Sequence, residues 1–415
     1  MNNNRLHLLY LTEEYWPTFR PDVAVLFGKY LPRHGITCDL VTARNNVSAD
    51  KQETPWGGGL AMLCDVPRNR VGQYWVKFWH NMGALITLDT KKYDAIQVRD
   101  MSVTAFVGLI VARLKGVQFF YWLSYPLSEG QIHTARTRGI KAGLRFWFPL
   151  VRGTLGKWLL YRVVLPKADH VFVQSRQMQL DVARQGIPMS KITPVPMGVD
   201  TETANPKSIQ PSDDPRLEGK HVLAYLGSFE PIRQLEILFQ MLALVRQQIP
   251  NIMLVMAGDI EDAGHRDWLK QEAKRMGVAD HVLWTGWLPT SQAWSYIRAA
   301  ELGLSPIPRG YILDMGSPTK AVEYMALGLP VVANDNPDQA QVIEESGAGI
   351  CAPLQGEAFA EAVVSLLKEP ELMRQMSVKG REYVARKRGY DSIAHIIAGV
   401  YLDLGESAVP VSDVA

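Results

Sequence analysis

The sequence Gly316-Ser317-Pro318-Thr319-Lys320, followed by Glu323 and by Gly328-Leu329-Pro330-Val331-Val332, has the pattern of a loop, a short helix and a buried strand. Ser317 is a favourable N-cap residue, and Pro318 suits the first position of a helix because its missing N–H costs nothing there. Gly328 predicts the end of the helix, and Val331 the start of a strand. A short helix feeding directly into a buried strand predicts an α/β unit.

The polar side chains of this stretch indicate a possible chemistry. Lys320 and Glu323 lie three residues apart and therefore project from the same face of the predicted helix. Backbone N–H groups at a helix start, together with a lysine, form a site for an anion. A carboxylate one turn further on can accept hydrogen bonds from sugar hydroxyls, so the pattern predicts a nucleotide-sugar site. An ordinary capped helix with a solvated Lys–Glu pair explains the same local pattern.

The rest of the chain repeats the alternation of strands and helices. Apolar runs predict strands in the first half at 6–11, 37–42, 95–98, 118–123, 170–173 and 191–195, and in the second half at 221–226, 253–257, 281–285, 302–305, 330–333 and 349–352. Residues 206–220 are rich in Pro, Asp and Ser and predict a linker. The fold class expected for 415 residues is therefore α/β, with two Rossmann-like doubly wound domains facing across a cleft.

Composition excludes several classes of protein. Hydrophobic residues make up 47% and charged residues 21%, which is the balance of a soluble globular protein. The apolar run 6–11 is too short for a signal-peptide core, and Arg113 and Lys115 interrupt the longest apolar stretch, so a membrane span is not expected. Three widely spaced cysteines predict neither a disulfide framework nor a zinc site, and they favour a reducing, cytoplasmic compartment.

The segment 130–168 has an unusual charge pattern. It contains no Asp or Glu, and bulky aromatic residues are interleaved with eight basic ones: Arg136, Arg138, Lys141, Arg145, Arg152, Lys157, Arg162 and Lys167. This composition is typical of a segment that lies beside anionic lipid. We therefore expect a peripheral position on the inner face of the cytoplasmic membrane. The alternative is an amphipathic helix whose aromatic residues pack into their own domain; nucleic acid is not an expected partner, because no recognised binding motif accompanies the segment.

Other candidate site residues follow predicted strands. Gly227 would allow a phosphate to approach the backbone, and Arg233 with Lys320 would give two cations for a diphosphate leaving group. Asp100, after strand 95–98, would orient an acceptor hydroxyl or cap a helix. No Walker loop, dinucleotide-binding glycine turn, zinc motif or nucleophile elbow occurs in the sequence, so we expect no metal and no cofactor beyond the substrate.

These features together resemble the GT-B-fold glycosyltransferases of family 4, also called group 1. The resemblance covers nearly the whole chain and is clearest at Tyr225-Leu226-Gly227, Ala257-Gly258, 300–306 and 317–333, with Ala168-Asp169-His170 and Pro196-Met197-Gly198 resembling the exit from the first domain. It implies sugar transfer from a nucleotide-diphosphate sugar with retention at the anomeric carbon. It also implies an acceptor domain at 1–205, a donor domain at 221–385 and a helix at 386–404 that crosses back to the first domain. We expect the tail at 405–415 to be disordered.

The resemblance assigns roles to individual residues. Glu323 matches the second glutamate of the family's Glu-x7-Glu motif, which contacts the donor ribose, and Trp287 or Leu288 would border the base. The implied donor-binding residues are Gly227, Arg233, Trp287, Leu288, Asp314, Ser317, Pro318, Thr319, Lys320 and Glu323. The residues expected on the acceptor side are Arg20, Asp22, Arg99, Asp100, Ser124 and Tyr125. The expected catalytic residues are Arg233, Lys320, Glu323 and Asp100.

The chain departs from the family pattern at several positions. Met315 stands where the first glutamate of Glu-x7-Glu would be, with Asp314 beside it as a possible substitute, and Ser228 replaces a frequent arginine. The first loop lacks the usual glycine pair, and Ser124-Tyr125-Pro126 occupies the place of the usual acceptor-side histidine. The leading hypothesis is transfer to a lipid-linked or polysaccharide-precursor acceptor. A soluble acceptor, a nucleotide-sugar epimerase and a non-catalytic nucleotide-sugar binder remain alternatives.

Overall fold

The chain forms two units in the computed structural model, which describes residues 5–18, 20–44 and 54–407. The first unit comprises residues up to Met197 together with those from Tyr390 onward, and the second comprises Gly198–Gly389. Each unit is built around its own mainly parallel sheet. The predicted α/β class with two Rossmann-like domains is confirmed.

The first sheet has eight strands in the order β3-β4-β2-β1-β5-β6-β7-β8. Its strands are β1 Leu6–Trp16, β2 Ile36–Arg44, β3 Thr54–Trp56, β4 Gly59–Cys64, β5 Ala95–Arg99, β6 Gln118–Leu123, β7 His170–Val173 and β8 Ile192–Pro194. Within the ranges that the structure describes, β3 and β4 are the one antiparallel pair of this sheet. The long apolar runs of β1, β5 and β6 are almost wholly buried, as expected of a parallel sheet covered on both faces.

Among the described residues, α-helices and two π-helical segments connect these strands. The π-helical segments are Asp22–Tyr30 and Leu160–Val164, and the α-helices are α1 Arg70–Ile86, α2 Ser102–Lys115, α3 Leu127–Arg138, α4 Leu144–Leu159, the short α5 Leu165–Lys167 and α6 Arg176–Arg184. The β3–β4 hairpin is absent from the sequence prediction. Gly57 and Gly58 form its turn with φ of 53° and 75°, a conformation that favours glycine.

The second sheet has six parallel strands in the order β11-β10-β9-β12-β13-β14. The strands are β9 His221–Leu226, β10 Ile252–Ala257, β11 Val282–Gly286, β12 Leu302–Ser305, β13 Val331–Ala333 and β14 Gly349–Cys351. The helices are α7 Glu236–Gln248, α8 Ala263–Arg275, α9 Thr290–Arg298, α10 Tyr311–Asp314, α11 Lys320–Ala326, α12 Pro337–Ser346, α13 Gly356–Leu367 and α14 Pro370–Tyr383. This strand order reverses direction between β9 and β12, which is the switch point of a doubly wound sheet.

The last helix, α15 (Tyr390–Ser407), belongs to the first unit. Its buried residues Ile397 and Tyr401 pack in the same core as Phe120 and Phe172, and the ring centroids of Tyr401 and Phe172 lie 4.6 Å apart. The helix begins four residues later than predicted, because a π-helical turn occupies Val384–Arg388. Residues 405–407 are helical, so the prediction of disorder from 405 is wrong for these three residues; 408–415 lie outside the described residues.

The boundary between the units lies upstream of the predicted linker. Val199 pairs with Gly389, and its N–H donates to the carbonyl of Arg388 at 2.9 Å. Val199 and Ala204 are buried in a core cluster of the second unit. These contacts explain why residues 198–205 belong with the second unit and not with the predicted first domain.

Candidate functional site

The switch point of the second sheet brings together the candidate donor residues. Gly227 directly follows β9 and has a φ of 137°, a conformation that favours glycine. The side chain of Lys320 lies over it: a Cβ atom at position 227 would be 2.7 Å from Cε of Lys320 and 3.0 Å from its Nζ. A side chain at position 227 would displace the end of the Lys320 side chain, and the φ of Gly227 itself favours glycine. The two donor-side candidates Gly227 and Lys320 therefore lie next to each other.

The ammonium group of Lys320 lies in an environment that disfavours its charge. Among the described residues it makes no hydrogen bond or ion pair, and its contact is with the ring of Tyr225, whose centroid is 5.4 Å from Nζ. Burial, and then repulsion by Arg233, lower the pKa of Lys320 to about 7, although Glu323 acts in the opposite direction. A lysine held in this way is set to bind an anion that supplies the missing charge.

Arg233 provides the second cation. It ends the 3₁₀ turn Pro231–Arg233, and Gln234 follows in a left-handed conformation with φ of 51°. The Nε atom of Arg233 is buried without a hydrogen-bond partner among the described residues. Buried polar atoms normally have a partner, so an orphaned guanidinium N–H beside Lys320 is consistent with a site for an anion.

The loop before helix α11 differs from the prediction. The helix begins at Lys320 and not at Pro318, and Ser317 does not act as its N-cap. The Ser317 hydroxyl instead donates to Oδ2 of Asp338 at 2.7 Å, because that buried carboxylate lies within reach. The case for an anion site here rests on the two cationic side chains, Lys320 and Arg233. Gly328 ends the helix, as predicted, with φ of 86°.

Two aromatic residues fix the orientation of α11. The Tyr324 hydroxyl accepts from the N–H of Leu226 at 2.8 Å and donates to the carbonyl of Leu304 at 3.2 Å, which ties the helix to β9 and β12. Trp294 Nε1 donates to Oε2 of Glu323 at 3.2 Å. Among the residues that the structure describes, this contact engages one carboxylate oxygen of Glu323 and leaves the other for a ligand. No local pattern could predict the Trp294 contact, because the two residues lie on separate helices.

The remaining donor-side residues differ in exposure. Trp287 follows β11 with 61% of its surface exposed, so its ring is accessible to a base, and Leu288 beside it is partly buried. Asp314 is already engaged, because Arg309 donates to both of its oxygens at 2.9 Å and 3.1 Å. Met315 is fully buried. Asp314 is therefore held by Arg309 and does not present a free carboxylate in place of the missing glutamate.

The first sheet also has its candidate residues at a switch point, between β1 and β5. Arg99, at the end of β5, is 2% exposed and donates to Glu14 at 2.9 Å and to Asp22 at 2.8 Å. Arg20 is exposed and pairs with the same Glu14 at 3.2 Å. Because Arg99 and Asp22 are buried against each other, they shape this end of the sheet, whereas Arg20 is accessible to a ligand.

Asp100 occupies a strained position beside Arg99. Its φ is 58°, and its Oδ1 accepts from the backbone N–H of Ser124 at 2.7 Å and of Tyr125 at 3.2 Å, while the Ser124 hydroxyl donates to Oδ2. It does not cap α2, whose N-cap is Met101. Burial raises the pKa of Asp100. A non-glycine residue in this conformation is often found at functional sites. Tyr125 is 44% exposed at the same edge.

The basic segment presents its large apolar residues to solvent. Helix α4 exposes one stripe that consists of Leu144, Trp147, Phe148, Val151, Leu155 and Trp158. Phe146 and Tyr161 are buried, so packing into the domain accounts only for these two aromatic residues. Helix α1 adds exposed Trp75 and Trp79, and Arg152 joins the two helices by donating to the Tyr74 hydroxyl at 2.9 Å. We call this surface the aromatic face.

Neither a membrane-spanning helix nor a metal-binding cluster is found among the described residues. No helix within them is both long and apolar enough to cross a membrane. In the same part of the chain, no group of three or more His, Cys, Asp or Glu side chains is placed to hold a metal ion.

Comparison with known families assigns the chain. The family model "Glycosyl transferases group 1" matches residues 207–383, which contain the whole second sheet and the Lys320–Glu323 helix. The model "Glycosyl transferase 4-like domain" matches residues 23–198 in the first unit. The chain belongs to the group 1 glycosyl transferases. The resemblance to the group 1 GT-B glycosyltransferases that the sequence predicted is therefore confirmed.

Individual relatives are distant. The GDP-mannose-dependent alpha-(1-6)-phosphatidylinositol monomannoside mannosyltransferase of Mycobacterium tuberculosis is 25% identical over 217 residues, which are 51% of this chain and 56% of that protein. This group 1 chain spans about half the length of the curated relatives it matches. Sucrose-phosphate synthase of Thermosynechococcus elongatus has the same fold, with a TM-score of 0.72 at 17% identity over 97% of this chain and 100% of the other. HepE of Anabaena, solved with UDP-glucose, also has this fold. Its TM-score is 0.66 at 15% identity, and the match covers 96% of this chain and 100% of HepE.

Proposed function

We propose that this chain is a glycosyltransferase that moves a sugar from a nucleotide-diphosphate sugar to an acceptor, with retention at the anomeric carbon. The observation that carries the proposal is the position of Lys320 over Gly227 at the switch point, beside Arg233 and one turn before Glu323. Two cations suit a diphosphate, and a half-engaged carboxylate suits ribose hydroxyls. Retention is proposed from the family resemblance. The choice of a nucleotide sugar as donor is supported by GDP-mannose in the name of the mycobacterial relative and by UDP-glucose in that of a structural neighbour.

In the proposed reaction the second unit acts through charge. The bond between the anomeric carbon and the leaving diphosphate breaks, so negative charge grows on the diphosphate oxygens. Lys320 and Arg233 are fixed before the reaction begins, and fixed cations stabilise such charge without reorganisation. Trp287 supplies an exposed ring for the base, and Glu323, oriented by Trp294, accepts hydrogen bonds from the ribose.

The proposed acceptor is a lipid-linked sugar or a polysaccharide precursor. On the first unit, Asp100 would accept a hydrogen bond from the attacking hydroxyl, and Ser124 orients its carboxylate. Arg20 and Tyr125 are the accessible side chains at this edge. The phosphatidylinositol monomannoside in the name of the mycobacterial relative supports a lipid acceptor.

We further propose that the aromatic face binds the cytoplasmic membrane at its anionic inner leaflet. Exposed tryptophans are favoured at a membrane interface because the ring is amphipathic. The stripe on α4 is flanked by exposed Arg145 and Arg152, and no acidic residue occurs between positions 130 and 168. Each basic residue near an anionic surface contributes about 1 kcal/mol of attraction. Apolar area and positive charge therefore act on the same surface.

Glu323→Ala is expected to weaken donor binding while the fold stays intact. The side chain is partly buried, and its hydrogen bond within the described residues is to Trp294, so its loss removes a ligand contact at little structural cost. We would first screen UDP-, GDP-, dTDP- and ADP-sugars by thermal shift, because a ligand of the native state raises Tm by mass action. The Kd of the best ligand should rise about tenfold in the variant.

Glu361→Ala on α13 is the matched control, since it removes an exposed glutamate from the same unit. It should leave the Kd unchanged. If no nucleotide sugar shifts the Tm of the wild-type protein, the proposed function is wrong. Turnover of a donor in the absence of any acceptor, beyond slow hydrolysis, would identify an epimerase instead.

Replacing Trp147, Phe148 and Trp158 together by alanine is expected to abolish most vesicle binding. These side chains are 52–67% exposed, so their removal costs little stability but takes away a large apolar contact area. Partitioning onto vesicles that contain anionic phospholipid should fall at least roughly tenfold at low salt. Co-sedimentation measures the bound fraction.

The control for this experiment is Trp268→Ala, an exposed tryptophan on the second unit. It should bind vesicles as the wild-type protein does. Wild-type binding should decrease with added salt, because the basic residues act through screened charge. Failure of the wild-type protein to bind anionic vesicles at low salt would refute the membrane proposal and leave the sugar-transfer proposal standing.

A further inference from the structure

A buried polar cluster lies behind the donor loop. Arg388, 4% exposed, donates through Nη2 to Oδ1 of Asp338 at 2.7 Å and through Nη1 to the hydroxyl of Ser317 at 3.2 Å. Ser317 in turn donates to the other oxygen of Asp338 at 2.7 Å. Asp338 and Ser317 are themselves 6% and 8% exposed. The three side chains form a closed ring of hydrogen bonds.

The cluster joins three segments that are distant in the sequence. Ser317 belongs to the loop that leads into Lys320, and Asp338 lies in the first turn of α12. Arg388 is the last residue but one of the second unit, and the chain leaves that unit after Gly389. The carbonyl of Arg388 also accepts from the N–H of Val199, where the chain enters the unit. Arg388 therefore connects the donor loop, through its side chain, with both points at which the chain passes between the units, through its backbone.

Burial of the Arg388–Asp338 ion pair contributes little net free energy to the stability of the fold. Removing an arginine and a carboxylate from water costs several kcal/mol each, and an apolar cluster of the same volume is often at least as stable. Such a cluster instead fixes geometry, because each donor must meet its acceptor. Here the geometry it fixes is that of Ser317, three residues before the cation of the donor site.

We propose that Arg388 is a positioning residue that couples occupancy of the donor site to the chain-crossing segments around Val199 and Gly389. The inference rests on the proposed nucleotide-sugar site. A diphosphate that engages Lys320 restrains the loop that carries Ser317. Because Ser317 and Arg388 share Asp338, the restraint passes to the backbone of Arg388 and to its hydrogen bond with Val199. Nucleotide binding therefore slows opening of that bond.

Hydrogen exchange tests the coupling directly. UDP-glucose and GDP-mannose are the probes, and the one that raises the wild-type Tm is added at saturation. In the wild-type protein it should slow amide exchange in the peptides that contain Val199 and 384–389. Arg388→Met should abolish this protection and raise the Kd about fivefold, which is the lower end of typical coupling between sites. Arg388→Lys, which keeps the charge but supplies fewer donors, should restore part of both effects.

Arg381→Met is the matched control. Arg381 lies on α14 of the same unit and donates to the hydroxyl of Ser377 at 2.7 Å, so its loss tests removal of a partly buried arginine outside the cluster. It should keep the nucleotide-induced protection whatever happens to its Tm. A purely structural role for Arg388 would lower the Tm and leave the protection and Kd unchanged, which would overturn the inference.

Further variants keep the outcome decisive. If Arg388→Met does not fold, Ser317→Ala removes one arm of the cluster and should reduce the protection to an intermediate value. Wild-type binding of a nucleotide sugar without protection at Val199 would refute the coupling and leave the proposed function intact. If the wild-type protein binds none of the nucleotide sugars, the proposed function fails and the coupling fails with it.

Discussion

Lys320→Ala is expected to lower kcat/KM for the nucleotide sugar about tenfold or more, which corresponds to about 1.4 kcal/mol of transition-state stabilisation. The ammonium lies over Gly227 without a hydrogen-bonding partner among the described residues, so no local ion pair is lost with it. Its charge is already costly in the free protein, because burial and Arg233 lower its pKa to about 7. The variant should therefore fold at least as well as the wild-type protein while losing catalysis.

The same pKa predicts how donor affinity depends on pH. Lys320 is charged below about pH 7 and loses its proton as the pH rises through that value, so wild-type affinity for the nucleotide sugar should fall between pH 6 and pH 9. Lys320→Ala should remove this dependence. An intact nucleotide sugar is the ligand of choice, because its diphosphate has no proton that titrates near neutrality. Isothermal titration calorimetry gives the Kd at each pH.

Lys274→Ala, which removes an exposed lysine from α8, is the control for both measurements. It should behave as the wild-type protein in kcat/KM and in the pH profile. If Lys320→Ala keeps the wild-type donor affinity and Glu323→Ala does so as well, the assignment of the donor site is wrong.

Local patterns predicted most of the strands, because a buried parallel strand is a short apolar run between turn residues. All six strands of the second sheet were expected, and each of them begins and ends at or within one residue of the predicted position. The β3–β4 hairpin was missed, although Gly57-Gly58 after Trp56 is a recognisable hairpin signal. The preceding polar stretch hid the strand character of Thr54–Trp56.

The prediction at Ser317 failed for a long-range reason. A serine followed by proline has the local chemistry of a helix start. The Ser317 hydroxyl instead donates to Asp338 and accepts from Arg388, so it does not cap the helix. Neither partner is visible in a local pattern. The same applies to Trp294, which holds Glu323 from another helix, and to Arg309, which engages Asp314. Residue types at the donor site could be predicted, whereas the contacts that orient them could not.

Exposure was the second property that the sequence left open. The segment 130–168 allowed either a buried amphipathic helix or a surface rich in aromatic residues. The structure decides between them, since Trp147 and Phe148 are exposed while Phe146 is buried. The sequence of α1 carries a related signal, because Val71, Trp75 and Trp79 recur at four-residue spacing, which places them on one helical face.

Met315→Glu restores the carboxylate of the Glu-x7-Glu motif and is expected to destabilise the protein without increasing turnover. Met315 is fully buried, so a glutamate there must carry a desolvated charge or take up a proton. The free energy of unfolding should fall by roughly 2–4 kcal/mol, as for other buried and unpaired polar groups. Urea denaturation measures this loss, and Met315→Leu, an apolar change of similar volume, should cost less than about 1.5 kcal/mol.

This substitution also separates an active transferase from a non-catalytic binder. In an active enzyme that works with methionine at position 315, a new carboxylate brings no gain, and the neighbouring Arg309 is already engaged by Asp314 and Asp335. In a binder that lost catalysis through this one residue, the site would still accept a glutamate. A large gain from undetectable turnover at unchanged stability would therefore overturn the proposed enzymatic function and identify the wild-type protein as a nucleotide-sugar binder.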